Sequence, residues 1–177
     1  MVETKNPYEM YFQNKGIIAA AVIILLIVIW SMIPARDIYI SDIDELNVLS
    51  FEWKEPIRDK TVDGNSLLID EKWYPKGMGV HANSEISLKV PRGYTHFIAD
   101  AGVDDEISQD KPASVQFMVL GDGAVLFETP VIKAGMPPRR IYANIEGVEV
   151  LTLKAMDGGD GSNSDHGDWG NARFVKR

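Results

Sequence analysis

Hydrophobic positions follow two different periods along this chain, and the period changes near residue 36. Before it, GIIAAAVIILLIVIWSMI at 16–33 runs for 18 residues without a charge. As a helix rising 1.5 Å per residue it would be roughly 27 Å long, close to the hydrocarbon thickness of a bilayer. Pro34 stops it. Asn6, Pro7 and Glu9 supply an N-cap, a first-turn proline and a capping-box acid, so the helix is predicted to start within the short interfacial segment 1–15.

After residue 36 the period is two. Ile86, Leu88 and Val90 alternate with Glu85, Ser87 and Lys89. Phe97, Ala99, Ala101 and Val103 share one face, and Val115, Phe117 and Val119 share another. Such alternation puts apolar side chains on one side of a pleated strand. Gly121-Asp122-Gly123, between β-like runs at 115–120 and 124–127, predicts a hairpin. Ile141, Ala143 and Ile145, then 148–155 and 172–175, bring the total to about eight strands. No stretch here sustains a helical period. The prediction is an all-β fold over 37–177, an antiparallel β-sandwich, behind one N-terminal transmembrane α-helix at 16–33.

Composition narrows the classes. There is no cysteine, which excludes disulfides, thiolate metal sites and a cysteine nucleophile. Net charge is -8, and residues 37–177 carry 15 basic against 24 acidic residues. A surface that acidic repels phosphate backbones, so nucleic acid is not an expected partner. A cleaved signal peptide competes for 16–33, but its apolar run would be long and no A-x-A site follows. An uncleaved anchor in membrane lipid is expected. Lys5 and Lys15 precede the span and Arg36 follows it. That bias points to a cytoplasmic N-terminus and a periplasmic or otherwise extracytoplasmic domain. Tyr8, Tyr11, Phe12 and Trp30 stand where interfacial rings belong, and the Ala19-Ala20-Ala21 face allows close approach of a partner helix.

The polar stretch DGGDGSNSDHGDWG at 157–170 concentrates the candidate chemistry. It fails the EF-hand pattern, but a non-repeating Ca²⁺ site at Asp157, Asp160 or Asp165 is open. So is a plain inter-strand loop of Asx-turns. Three histidines, His81, His96 and His166, show no zinc-ligand spacing. There is no G-x-S-x-G, P-loop or H-E-x-x-H, so no enzyme activity is expected. Sugar binding fits the composition better. Asp165, His166 and Asp168 can read hydroxyls, and Trp169 can stack on a sugar's C–H face or plug the core beneath the loop.

Several motifs then come together. YISDI at 39–43, KGMGVHANSEISLKV at 76–90, AGVDDE at 101–106, VQFMVLGDG at 115–123 and VLTLKAMDGGDGSNSDHGDWGNARF at 150–174 resemble the NPCBM family of carbohydrate-binding modules, in order and spacing. The resemblance implies a galactose-binding-like, jelly-roll β-sandwich with sugar binding and no catalysis. By motif it implies His81, Asp104, Asp105, Asp165, His166, Asp168 and Trp169 as sugar-site candidates. Gly77, Gly79, Gly102, Gly121 and Gly123 read as turn and bulge residues.

Two functions follow. In the first, the chain is a membrane-anchored module that holds a galactosyl-type or cell-envelope glycan outside the cytoplasm. In the second, the sandwich docks other subunits of a membrane complex, such as an energy-transducing, photosynthetic or secretion assembly. No cofactor is firmly expected beyond a possible structural Ca²⁺.

Overall fold

A computed structural model describes residue 15, residues 17–26, residue 28 and residues 36–176. The chain forms two compact units, Met1–Arg36 and Asp37–Arg177. In the first, 17–26 are helical and exposed all round, with Ile17, Ile23 and Leu26 each more than half accessible. Among the described residues no helix is long and apolar enough to cross a membrane. Ala19, Ala20 and Ala21 are in this helix; Tyr8, Tyr11, Phe12 and Trp30 lie outside the described residues.

Among its described residues the second unit is a β-sandwich of fourteen short strands. They are β1 (Ile38–Tyr39), β2 (Leu46–Phe51), β3 (Ile57–Arg58), β4 (Leu67–Ile69), β5 (Lys72–Tyr74), β6 (Gly77–His81) and β7 (Ser84–Lys89). Then follow β8 (His96–Val103), β9 (Ser114–Gly121), β10 (Ala124–Glu128), β11 (Ile132–Lys133), β12 (Arg139–Asn144), β13 (Val150–Asp157) and β14 (His166–Val175). One sheet runs β12-β8-β14-β6-β3 and the other β10-β9-β13-β7-β2. β1 pairs with β14, with Ile38 opposite Phe174. Every recorded pairing is antiparallel.

The alternating residues fill the space between the sheets. Ile86 and Leu88 of β7, Val115, Phe117 and Val119 of β9, and Phe97 of β8 are buried in one cluster. The predicted hairpin is present: Gly121 pairs with Ala124, and Asp122 and Gly123 turn with φ of 49° and 84°. Left-handed φ at both central residues is what a two-residue hairpin turn needs.

Three features differ from the sequence expectation. The last strand starts at His166 instead of 172, because β14 continues to pair with β6 and β8 through the motif. A small hairpin, β4–β5, lies over the outer face of the first sheet and forms its own cluster of Leu67, Ile69 and Tyr74. Gly79 and Gly102 are close-packing positions within strands. A Cβ on Gly102 would stand 2.4 Å from Ile69 Cγ2, and one on Gly79 2.3 Å from the Lys60 carbonyl oxygen.

Candidate functional site

The site forms where two strand ends meet an edge. His81 closes β6, His166 opens β14, and they are register partners. Side chains directly opposite one another share a face, so the imidazoles lie together, with centroids 5.5 Å apart. Both residues are buried. Edge strand β2 ends at Phe51, and Trp53 follows on a bend, 50% exposed. Its ring lies 5.1 Å from His81 and 5.4 Å from His166, nearly parallel to the latter at 29°. Glu52, Trp53, His81, Ser162, Asn163, Ser164 and His166 line an open cavity of about 410 Å³.

The polar groups around this cavity are fixed by hydrogen bonds. Glu52 accepts from Ser162 Oγ at 2.9 Å and from Asn83 Nδ2 at 2.9 Å. Those bonds hold its carboxyl below the usual glutamate value. His166 Nδ1 is 2.7 Å from Glu106 Oε1, and Glu106 Oε2 accepts from Thr61 Oγ1 at 2.8 Å and Asn65 Nδ2 at 2.9 Å. Burial works to raise the Glu106 carboxyl, but the His166, Asn65 and Thr61 bonds outweigh it and leave it ionised. Burial pushes His81 below its ordinary imidazole value, so it is neutral at pH 7. Its Nδ1 bonds the Ala82 carbonyl, which leaves Nε2 as its unassigned ring nitrogen.

Of the seven sugar-site candidates, His81 and His166 line the cavity; the other five do not. Trp169 is 0% exposed, edge-on to Phe117 at 5.0 Å and to Phe97 at 6.4 Å. It is a core residue and offers no face to a sugar. Asp104 accepts from the Leu68 amide at 2.8 Å and the Glu106 amide at 2.7 Å. Asp105 accepts from the amides of Asp70 and Glu71 at 2.9 and 2.7 Å. Both carboxyls therefore fasten the β4–β5 hairpin. Asp168 is 0% exposed; no N–H or hydroxyl among the described residues donates to its oxygens, and its carboxyl faces that of Asp104, to which its protonated form donates. Burial, then the hydrogen bond and the charge of Asp104, raise its carboxyl well above the usual range. Asp165 is also fully buried and accepts from the Ser114 amide at 2.8 Å. Burial, then the charges of Asp160 and Asp157, push it up to about 6.

The carboxylates of Asp157 and Asp160, raised as calcium candidates, are hydrogen-bonded in and around the loop. Asp157 accepts from the Gly159 amide at 2.7 Å, and Asp160 from Ser114 Oγ at 2.6 Å. Ca²⁺ needs six to eight converging oxygens at about 2.3–2.6 Å. The carboxylates of Asp157, Asp160 and Asp165 do not converge in that way. Among the described residues, the set with ligand atoms within 4.8 Å of one another is Asp63, Glu106 and His166. Its members are already partnered: Asp63 by Lys54 at 2.5 Å, and Glu106 by three donors. The set works as a network that orients His166.

Glu52 and Trp53 were missed from sequence. Trp53 is 28 positions from His81 and 113 from His166, and no motif links them. The available signal was a tryptophan and an acid just after an edge strand, outside the alternating pattern.

Residues 36–175 match the NPCBM/NEW2 domain. The chain belongs to that family. It is 32% identical over 148 residues to a Renibacterium salmoninarum protein named as a proposed endo-alpha-N-acetylgalactosaminidase, covering 80% of this chain and 10% of that one. It is 32% identical over 115 residues to alpha-1,3-galactosidase B of Akkermansia muciniphila, covering 63% and 14%. This NPCBM/NEW2 chain thus spans only a small part of those relatives. Among solved structures it resembles the CBM51 module of Clostridium perfringens GH95 in complex with methyl-galactose, at 30% identity and a TM-score of 0.72, over 79% of this chain and all of that one. It also resembles CBM51-2 in complex with GlcNAc, with INT domains, from C. perfringens ZmpB, at 29% identity and a TM-score of 0.73, over 81% and 32%. The NPCBM/NEW2 sandwich is a carbohydrate-binding module, a non-catalytic class; the named hydrolases are longer proteins that carry such a domain.

Proposed function

We propose that residues 37–177 bind a neutral, galactosyl-type sugar in the cavity walled by Trp53, His81 and His166. The carrying observation is a half-exposed indole beside two fixed imidazoles and an ionised Glu52. An indole accepts the C–H face of a sugar, while carboxylate and imidazole read its hydroxyls. Glu52 lines the cavity and Glu106 stands behind His166, both as carboxylates, which favours a neutral ligand over a sialylated or uronic one. The methyl-galactose complex of the CBM51 module from C. perfringens GH95, matched over its whole solved chain, supports this choice of sugar.

We further propose that 16–33 anchors the module in a membrane, with the sandwich extracytoplasmic. The support is the uncharged run and the all-round apolar surface of helical residues 17–26, a surface that requires lipid or protein cover. The alternative, a docking block in a larger membrane complex, finds no support in the fold or the relatives. Calorimetric titration of the purified chain with methyl-galactoside tests the first proposal: saturable binding at millimolar sugar or below is expected, and none at all would reject it. Carbonate extraction of membranes from expressing cells tests the second; release of the chain into the soluble fraction would reject anchoring.

A further inference from the structure

Lys54 stands beside the sugar cavity without lining it. Its ammonium lies over the Trp53 ring, 4.1 Å from the centroid. The same nitrogen is 2.5 Å from Asp63 Oδ1, and Asp63 Oδ2 is 4.0 Å from His166 Nδ1. Glu106 in turn holds His166. The indole is thus touched by three groups: two buried imidazoles and one partly exposed lysine. Trp53 is part of the cavity wall and Lys54 is not, and through Asp63 the ammonium is linked to the same His166 that lines the cavity beside the indole.

This arrangement answers a physical difficulty. Trp53 sits on a bend beyond the end of an edge strand, and half of it is in solvent. A side chain so placed keeps much of its rotamer freedom, and binding a sugar would have to freeze it. An ammonium attracted to the ring and tethered to a carboxylate limits that freedom beforehand.

We propose that Lys54, tethered by Asp63, is a positioning residue that buttresses the Trp53 indole in its sugar-receiving orientation and so sets affinity without touching the sugar. This rests on the sugar-site reading above. It also makes the site salt-sensitive toward an uncharged ligand, because the tether is an exposed ion pair.

The test uses the full chain and methyl-galactoside. Lys54→Met keeps the aliphatic stem and removes the charge; Asp63→Asn removes the tether; Lys54→Arg keeps a cation. The first two are expected to weaken binding roughly two- to five-fold. Lys54→Arg is expected to stay within about two-fold of the parent, and all three to keep the parent's thermal midpoint within a degree or so. Acrylamide quenching gives a readout that needs no sugar. The emission lost in Trp53→Phe identifies the Trp53 signal, and that signal should become more quenchable in Lys54→Met. Unchanged affinity and quenching in Lys54→Met would overturn the buttress. So would tighter binding, which would mean that lysine screens the ring. If the parent binds no sugar, the site reading fails, and quenching alone still decides whether Lys54 holds the indole.

Discussion

Trp53 and Trp169 are the same residue put to opposite uses. Trp169 lies in the middle of a ten-residue strand, in the most recognisable motif of the chain, and is sealed in the core. Trp53 lies in no motif, beyond the end of an edge strand, and half of it meets water. The contrast shows that motif strength tracked the packing of the sandwich more closely than its surface chemistry. A buried indole edge-on to two phenylalanines constrains many neighbours; an exposed one constrains few.

Substitution should separate the two roles. Trp169→Ala removes a fully buried indole and is expected to cost about 3–5 kcal/mol, enough to unfold much of the population. Denaturant titration measures it, and a loss under about 1 kcal/mol would show that the core tolerates the cavity. Trp53→Ala should leave stability within about 0.5 kcal/mol and reduce methyl-galactoside affinity at least ten-fold. Full binding by this variant would place the sugar elsewhere.

The carboxyls repeat the contrast. Asp168 and Asp165 are fully buried, and burial raises both. For Asp165 the folded state keeps a proton between the usual 3.8 and about 6, where the unfolded chain has lost it. Stability therefore falls as pH rises through that window. Asp168, raised well above 3.8, adds the same trend. Glu106 has the opposite sign: its lowered carboxyl stabilises the fold above the usual 4.5 and loses that contribution as pH falls through its folded value. From pH 7 to pH 5 the two raised carboxyls lift the thermal midpoint, while the lowered His81 imidazole, which the unfolded chain protonates first below 6.5, opposes them; in stronger acid the midpoint should fall. Asp168→Asn should raise the midpoint at pH 7, flatten the slope above pH 5 and leave sugar affinity unchanged. A parental slope in this variant would show that Asp168 does not carry the effect.

The smallest effect concerns the loop. Asp157 and Asp160 are used by a backbone amide and a serine hydroxyl, so EDTA or added Ca²⁺ should shift the midpoint by less than about 1 °C. A shift of several degrees would assign the loop a calcium site.

Much of the sandwich was legible in the sequence because period two is a local property. The runs around Ile86, Phe97 and Val115 and the turn at Asp122-Gly123 each declare themselves within a few residues. The resemblance then supplied the topology class. The site was only half legible. His81 and His166 belong to motifs, but their pairing depends on a register 85 positions apart in sequence. The same strand logic could have corrected Trp169. Adjacent residues on one strand face opposite ways, so Asp168 and Trp169 could not both reach one sugar. Reading 166–175 as a single strand would have sent Trp169 inward.

The cavity is assembled from segments that meet only in the finished fold. Residues 52–53 come from beyond one sheet's edge, His81 and His166 from two strands of the other sheet, and 162–164 from the loop between β13 and β14. No single hairpin could present this surface, so an occupied pocket fastens distant stretches of polypeptide together at once. A glycan at a hundred times its dissociation constant would raise global stability by about 2.7 kcal/mol. Its natural ligand would thereby act as a clasp, protecting the whole sandwich from unravelling wherever sugar is abundant.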